Sequence, residues 1–183
     1  MATRLSGFAA LVCLCAVSAS AAAQTTPPNP ITQTLRGAWD QAKTNIRRSA
    51  DVMPESKYGF KPVDSVRTFG AILAHVAGAS YEFCAAAKNE KTPHAEDAFE
   101  KTAKTKADIV KALDGAIAYC DEIYKTLDDA RAVEMANGAF GGGKRPRMAS
   151  LFGNTGHFVE HYGNLVTYLR ISGLVPPSSA PQQ

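Results

Sequence analysis

The 183-residue chain has few cysteines, a single tryptophan and little excess of charge of either sign. Its 20 lysines and arginines stand against 17 aspartates and glutamates, and the two kinds are interspersed along the chain. A nucleic-acid-binding protein needs a clustered basic surface, so this charge balance argues against that class. No segment alternates apolar and polar residues as a half-buried β-strand does. These absences favour a helical domain that binds something other than nucleic acid.

The first 23 residues have the pattern of a secretory signal peptide. Arg4 supplies a positive charge, an apolar segment follows from Phe8 to Ala16, and the small residues Ala21 to Ala23 precede Gln24. The apolar segment is too short to span a bilayer. The pattern therefore predicts cleavage near Gln24 and a periplasmic or secreted protein without a membrane anchor. The two cysteines inside the apolar segment would be removed with it.

Helical periodicity predicts four helices in the remaining chain. They cover about residues 31–52, 69–88 behind an N-cap at Thr68, 97–127 and 147–171. Prolines and glycines fill the connections, of which 54–67 is expected to be an ordered loop and 128–146 a long mobile one. A short tail over 176–183, rich in proline and serine, is expected to be disordered. The sequence thus predicts an all-α four-helix bundle over residues 24–175.

Two histidines, His157 and His161, lie four residues apart in the fourth predicted helix. Residues at i and i+4 share one helix face, so both imidazoles can reach a single point. His75 lies on the corresponding flank of the second predicted helix. Three neutral imidazoles with an open position are a common catalytic zinc arrangement, and nickel and iron(II) also accept them. The alternative is that His157 and His161 are two polar residues on the flank of a packed helix.

Four polar residues are candidates for supporting contacts around these histidines. On a helical wheel, Asn154 and Asn164 fall close to His157 and His161, and Glu82 falls on the face of the second helix that carries His75. Residues that hydrogen-bond a metal-binding histidine orient its ring. Glu160 points away from its two neighbouring histidines, so it is a solvated or an outer supporting residue.

Cys84 and Cys120 are the only cysteines outside the predicted signal peptide. An even number of cysteines in an oxidising compartment permits one disulfide, which here would join the second and third predicted helices. The alternative is a pair of free, buried thiols that pack as small apolar groups.

Two further motifs are considered and set aside. Residues 138–145 nearly match a phosphate-binding P-loop, but an arginine stands where serine or threonine would bind magnesium, and no strand precedes them. Residues 157–161 match the H-x-x-E-H motif of inverted zincin peptidases, in which Glu160 would be the base. That site needs a further carboxylate downstream, and no aspartate or glutamate follows His161.

The chain resembles the DinB-like family of metal-binding four-helix bundles, which is distinct from the DNA polymerase of the same name. The resemblance is carried by Met53-Pro54, Phe60–Pro62, Phe69–Ala77, Tyr81–Cys84 and His161–Arg170. The metal triad of the family falls on His75, His157 and His161. The resemblance implies one divalent ion (zinc, nickel or iron) held by three imidazoles and water. Characterised relatives include transferases and isomerases that use thiols such as bacillithiol and mycothiol.

These patterns predict an exported, metal-dependent hydrolase or transferase that acts on a small molecule. The ion would serve as a Lewis acid, or would lower the pKa of a bound water or thiol. The competing hypothesis is a non-catalytic metal- or ligand-binding bundle, with a homodimer as one form. The sequence contains no nucleophile–base pair that is independent of the metal, and no motif identifies the substrate.

Overall fold

The computed structural model describes residues 28–181, in which four long helices form a bundle. The helices are α1 (Pro30–Val52), α2 (Phe69–Lys88), α3 (Ala98–Thr102), α4 (Lys106–Thr126), α5 (Asp129–Ala132) and α6 (Arg147–Ile171), and the two strands are β1 (Met135–Ala136) and β2 (Arg145–Pro146). The predicted signal peptide, with Cys13 and Cys15, lies outside the described residues. So do residues 182 and 183 of the predicted tail.

Helices that follow one another in the chain are not always neighbours in space. The long helix α2 packs against α4 and α6, and α1 packs against the same two helices. Hence α1 lies diagonally opposite α2, and α4 lies diagonally opposite α6. Residues 53–68 and 127–146 are long connections because each must cross the bundle to the opposite helix.

Local sequence explains where three of the helices begin. Pro30 occupies the first turn of α1, where its missing N–H has no helical partner to lose. Thr68 is the N-cap of α2, as predicted, and its Oγ1 accepts a hydrogen bond of 3.2 Å from the backbone N–H of Ala71. Thr105 and Asp108 form a capping box, in which each side chain accepts a backbone hydrogen bond from the other residue, at the start of α4.

The prediction of one continuous helix over 97–127 was wrong, because the structure has two helices there. Ala103 and Thr105 adopt extended backbone conformations that separate α3 from α4. A threonine side chain that accepts a backbone hydrogen bond favours a helix start over a helix interior. The break allows α3 to fold back against α2, which brings it towards His75.

The connection 128–146 is more ordered than its glycine content suggested. It contains α5 and the short antiparallel pair formed by β1 and β2. The carboxylate of Asp129 accepts hydrogen bonds from the backbone N–H and the hydroxyl of Thr32, both at 2.8 Å. The start of α5 is therefore tied to the start of α1. A two-residue strand is too short to show an alternating pattern, so periodicity could not predict this pair.

Residues 176–181 also differ from the disorder that was expected of them. Pro177–Ser179 form a 3-10 helix, and Pro177 is buried. The hydroxyl of Tyr162 donates to Oγ of Ser178 at 2.7 Å and accepts from the backbone N–H of Ser178 at 2.8 Å. Contacts with α6 and α1, rather than local composition, order this segment.

One helix among the described residues, α2, has the length and the apolar composition of a membrane-crossing helix. Its qualifying window has a mean hydropathy of 1.2, and 83% of that window is buried inside the bundle. The central helix of a soluble bundle has the same composition because all of its faces contact other helices. Burial of α2 is what carries His75 into the interior.

Three aromatic residues from three helices meet in the core. Trp39 of α1 stacks on Tyr124 of α4, with ring centroids 4.6 Å apart, and meets Phe158 of α6 edge-on at 4.7 Å. The indole N–H of Trp39 donates to Oδ1 of Asp121 at 2.7 Å, and the ammonium group of Lys43 lies 2.7 Å from the same oxygen. The one polar atom of this buried tryptophan is therefore satisfied.

Cys84 of α2 and Cys120 of α4 form a disulfide in the structure, with their Cα atoms 5.4 Å apart. Both residues are fully buried. The structure thus contains the bridged form of the pair, which fixes two neighbouring helices of the bundle to each other.

Reduction of this disulfide is expected to lower the free energy of unfolding by about 3 to 4 kcal/mol, because the bond closes a long loop in the unfolded chain. The cysteines are 36 residues apart. Urea unfolding of the chain starting at Gln24, with and without a reductant, measures the effect. A Cys84→Ala, Cys120→Ala double variant should not respond to the reductant. Two reactive thiols in the denatured, unreduced chain would show that the bond is absent.

Candidate metal centre

Three histidines converge where α2 faces α6. His75 comes from α2, whereas His157 and His161 come from successive turns of α6. Nε2 of His157 lies 3.1 Å from Nε2 of His75 and 3.0 Å from Nε2 of His161. One candidate ligand atom from each of the three residues lies within 4.8 Å of the other two. The three imidazoles therefore form one compact cluster.

The spacing of these nitrogens fits a single ion. Two nitrogens bound to one zinc ion at about 2.0 to 2.1 Å, with angles of about 90° to 110° at the metal, lie about 2.9 to 3.4 Å apart. Both short Nε2 separations fall in this range. A donor set of three imidazoles without a thiolate suits zinc, nickel and iron(II). The residues present thus fit the ion that the sequence predicted.

Burial keeps the three imidazoles neutral. His75 and His161 are buried and His157 is half-buried. Burial, followed by the neighbouring His161 and His75 and by Arg67, lowers the pKa of His157 to about 3. Burial is also the main cause that lowers the pKa of His75 and of His161. The lone pairs that a metal requires are therefore free at neutral pH.

Two carboxylates that sequence analysis did not select lie beside His75. Nδ1 of His75 is 3.4 Å from Oε1 of Glu100 and 3.6 Å from Oε1 of Glu96. Glu100 belongs to α3, and Glu96 lies just before it. A carboxylate at the far nitrogen of a metal-binding histidine orients the ring and raises its basicity. Glu96 and Glu100 are placed to do this for His75.

Of the four polar candidates, Asn164 is the one that contacts a histidine. Its side-chain amide lies 3.3 Å from Nδ1 of His161. Asn154 is buried against the disulfide instead, with Nδ2 3.7 Å from Sγ of Cys84. Glu160 is exposed and Glu82 is half-buried, and the hydrogen bonds and ion pairs within residues 28–181 link neither of them to a histidine of the cluster.

A cavity of about 340 Å³ opens beside His161. Its walls come from the connection between α1 and α2, from α2 and from α6; they are formed by Pro62, Ser65, Val66, Arg67, Ile72, His161, Asn164 and Tyr168. The hydroxyl of Tyr168 donates to the backbone carbonyl of Arg67 at 2.6 Å, which fixes the connection against α6. A small molecule in this cavity would reach the histidine cluster from the side of His161.

Aromatic rings cover the cluster on the side of His157. The ring of Phe83 lies 5.8 Å from that of His157, and the ring of Phe140 lies 4.9 Å from that of Phe83. Phe140 has a positive φ of 55°, in the glycine-rich part of the connection between α4 and α6. The cluster therefore has a side covered by aromatic rings and a side that opens into the cavity beside His161.

The sequence matches the family model of the DinB superfamily over residues 38–165. That range contains all three histidines and reaches from α1 into α6. The chain belongs to the DinB superfamily. No curated protein sequence matches it.

Solved structures share the DinB fold with this chain. A DinB-like protein from Bacillus cereus ATCC 10987 has a TM-score of 0.63 at 14% identity, covering 79% of this chain and 95% of that one. Bacillus subtilis YfiT is described as a probable metal-dependent hydrolase with an unusual four-helix bundle topology. It has a TM-score of 0.58 at 16% identity, and the match covers 78% of this chain and 88% of YfiT. A mycothiol-dependent maleylpyruvate isomerase has a TM-score of 0.60 at 14% identity, and the match covers 73% of this chain and 60% of the isomerase. At these identities the likeness shows the fold.

Within this DinB bundle, Gly78 allows the segment that carries Glu96 to cross α2. A Cβ atom added at Gly78 would overlap the backbone carbonyl of Glu96. Gly78 lies one helical turn after His75, so the close approach of backbone to helix sets the distance between His75 and the two carboxylates.

The Gly78→Ala variant is expected to lose about 1 to 3 kcal/mol of stability, because a methyl group has no space there. Metal affinity should fall by about 10-fold or more, since Glu96 and Glu100 would move away from His75. Thermal unfolding and metal titration measure the two effects. Gly163→Ala on α6 is the matched control, because a Cβ at that position meets no atom within 4 Å. Unchanged metal affinity in Gly78→Ala would mean that the carboxylates do not support His75.

Proposed function

We propose that this DinB-superfamily protein is a metalloenzyme that binds one divalent cation through His75, His157 and His161 and catalyses a hydrolase or transferase reaction. The observation that carries the proposal is the convergence of three neutral imidazoles on one point beside an open cavity. Three protein ligands leave coordination positions for water and substrate. The bound ion would supply Lewis-acid chemistry, or would lower the pKa of a water or thiol.

The other residues of the site have supporting roles in this proposal. Glu100, 3.4 Å from Nδ1 of His75, would orient that ring, and Asn164, 3.3 Å from Nδ1 of His161, would orient the other. With Nε2 on the metal, Nδ1 of His161 carries the proton, and the side-chain oxygen of Asn164 accepts it once the amide is flipped. Phe83 keeps water from the side of His157. Substrate enters through the cavity beside His161.

The description of one structural neighbour agrees with this class of reaction, and that of another shows that the same fold also supports an isomerase. One is described as a probable metal-dependent hydrolase and another as a mycothiol-dependent isomerase. The donor set accommodates zinc, nickel or iron(II), and metal analysis decides among them. A hydrolase needs only water as its second substrate, whereas a mycothiol-dependent enzyme also needs the thiol.

The proposal includes export to the periplasm or beyond. The support is the signal-peptide pattern of the first 23 residues, together with the disulfide between Cys84 and Cys120. Disulfides persist in oxidising compartments and are rare in the cytosol. Mass spectrometry of the native protein tests this part, and a chain that retains its N-terminal segment, with Cys13 and Cys15 present, would overturn it.

Metal analysis followed by an activity screen tests the catalytic part. The chain starting at Gln24, purified without chelator, is expected to carry close to one equivalent of metal. Hydrolysis in a panel of ester, amide and phosphoester substrates should disappear with a chelator and return when metal is added. Cobalt(II) substitution reports on the coordination shell, because azide changes the visible spectrum only when a position is open. A closed shell would favour the non-catalytic bundle, and failure to bind zinc, nickel or iron(II) would overturn the proposal.

A further inference from the structure

We propose that the cavity beside His161 binds a small organic carboxylate and that Arg67 is the residue that binds its carboxylate group. This inference rests on the proposed function, because it names the class of molecule that the metal centre would act on. It is argued from the charge, the polarity and the size of the cavity walls.

Arg67 is the one charged side chain among the cavity walls. The lining residues include no carboxylate. The guanidinium group is partly exposed, with 46% of the side chain accessible. An anion in the cavity would therefore meet the guanidinium of Arg67, whose ion-pair partner Glu100 is not among the lining residues.

Glu100 holds Arg67 by one edge and leaves the other edge free. Nε of Arg67 donates to Oε2 of Glu100 at 3.1 Å, and Nη2 donates to Oε1 at 3.4 Å. Nη1 donates to no other group within residues 28–181. A guanidinium fixed on one edge can bind a planar carboxylate with its remaining donors, at little entropic cost.

Glu100 also connects Arg67 with the histidine cluster. Its Oε1 is the atom that lies 3.4 Å from Nδ1 of His75. The same carboxylate thus positions a metal ligand and the proposed anion-binding group. A molecule held by Arg67 would lie at a fixed place relative to the metal centre.

The rest of the cavity suits the body of a short organic acid. Val66 and Ile72 provide apolar surface, and Ser65 and Asn164 provide uncharged hydrogen-bonding groups. Its volume of about 340 Å³ is near the lower end of the range of small-molecule sites, about 300 to 1,000 Å³. The cavity therefore fits a carboxylate with a short, partly apolar chain better than a large ligand.

The test is a calorimetric titration of the zinc-loaded protein with butyrate and with succinate. The Arg67→Gln variant is expected to bind both at least 10-fold more weakly, and Arg67→Lys should recover part of the loss. The matched amides, butyramide and succinamide, should bind weakly to every form. Arg170→Gln on exposed α6 surface is the control and should behave as the parent protein. Inorganic phosphate distinguishes a general anion site, since the proposal requires tighter binding of the carboxylates.

Metal affinity is measured separately in the same variants. Arg67→Gln is expected to keep binding zinc, because Arg67 is not a ligand, with at most the roughly 10-fold loss expected if Glu100 shifts away from His75; the carboxylate titration is therefore run with zinc in saturating excess. Carboxylate binding that is equal in Arg67→Gln and the parent would place the carboxylate on the metal alone and overturn this inference, while the proposed function would stand. Absence of zinc binding in the parent would overturn the proposed function instead.

Discussion

Replacement of His157 by alanine is expected to reduce affinity for a divalent ion by more than about 100-fold. Removal of a residue that only supports a ligand typically lowers metal affinity by about 10- to 100-fold, so loss of a ligand itself should exceed that range. His157 is central to the cluster, because its Nε2 lies within 3.1 Å of Nε2 of both other histidines. The variant would retain only His75 and His161. The cluster in the described part of the chain contains no fourth histidine, cysteine or carboxylate that could replace the lost ligand.

Competition with a chromophoric chelator measures this loss. His75→Ala and His161→Ala should lose affinity to a similar extent, since three ligands provide no redundancy. Glu160→Gln is the control on the same helix and should keep the metal, because Glu160 is exposed. Loss of metal in Glu160→Gln together with retention in His75→Ala would favour the inverted zincin arrangement.

Replacement of Trp39 by alanine is expected to lower the free energy of unfolding by about 3 to 5 kcal/mol, the range for removal of a buried aromatic side chain. Trp39 is fully buried between Tyr124 and Phe158, so the variant would leave a cavity at the contact of three helices. Asp121 would also lose the indole N–H that donates to it. Urea unfolding followed by circular dichroism measures the change.

Two controls separate the packing of Trp39 from its hydrogen bond. Trp39→Phe keeps an aromatic ring and loses the donor, so a loss of about 1 to 3 kcal/mol is expected. Phe152→Ala removes a ring that is 71% exposed on α6 and should change stability by about 0.5 kcal/mol or less. Equal effects of Trp39→Ala and Phe152→Ala would contradict the central role of the tryptophan.

The sequence located the histidine cluster because helical geometry is local. The spacing of His157 and His161 fixes their common face, and the flank of His75 follows from the apolar stripe of α2. It could not identify Glu96, Glu100 or Arg67 as neighbours. Those residues lie in a short helix or in connections, and their positions depend on tertiary contacts such as the crossing of α2 at Gly78.

The prediction that Asn154 supports the metal fails in the structure for a related reason. A helical wheel shows which residues share a flank, but it does not show which neighbour each turn of that flank meets. One turn before His157, the flank of α6 faces the disulfide between Cys84 and Cys120. The following turns of the same flank carry His157 and His161, which face His75 of α2.

Periodicity predicted three of the four long helices to within about one residue of their ends. It placed the start of the remaining one at residue 97 instead of Lys106, because the break after α3 was missed. Its signal is present in the sequence, since Thr105 and Asp108 have the spacing of a capping box. The order of the 128–146 connection was not predictable in this way. Its contact with Thr32 joins residues that are 97 apart in the chain. Which helices lie diagonally opposite each other is equally invisible to local periodicity.

The diagonal placement of helices has a consequence for the order of folding. Of the long helices that follow one another, only α2 and α4 pack closely along their length, so α6 must dock before either α1 or α2 can complete its contacts. His75 and His157 are 82 residues apart, and no fragment that lacks the last helix contains the metal-binding cluster. An ion that binds only the completed bundle stabilises it by mass action. Metal supply would then set the fraction of chains in which α6 is docked and the bundle is complete.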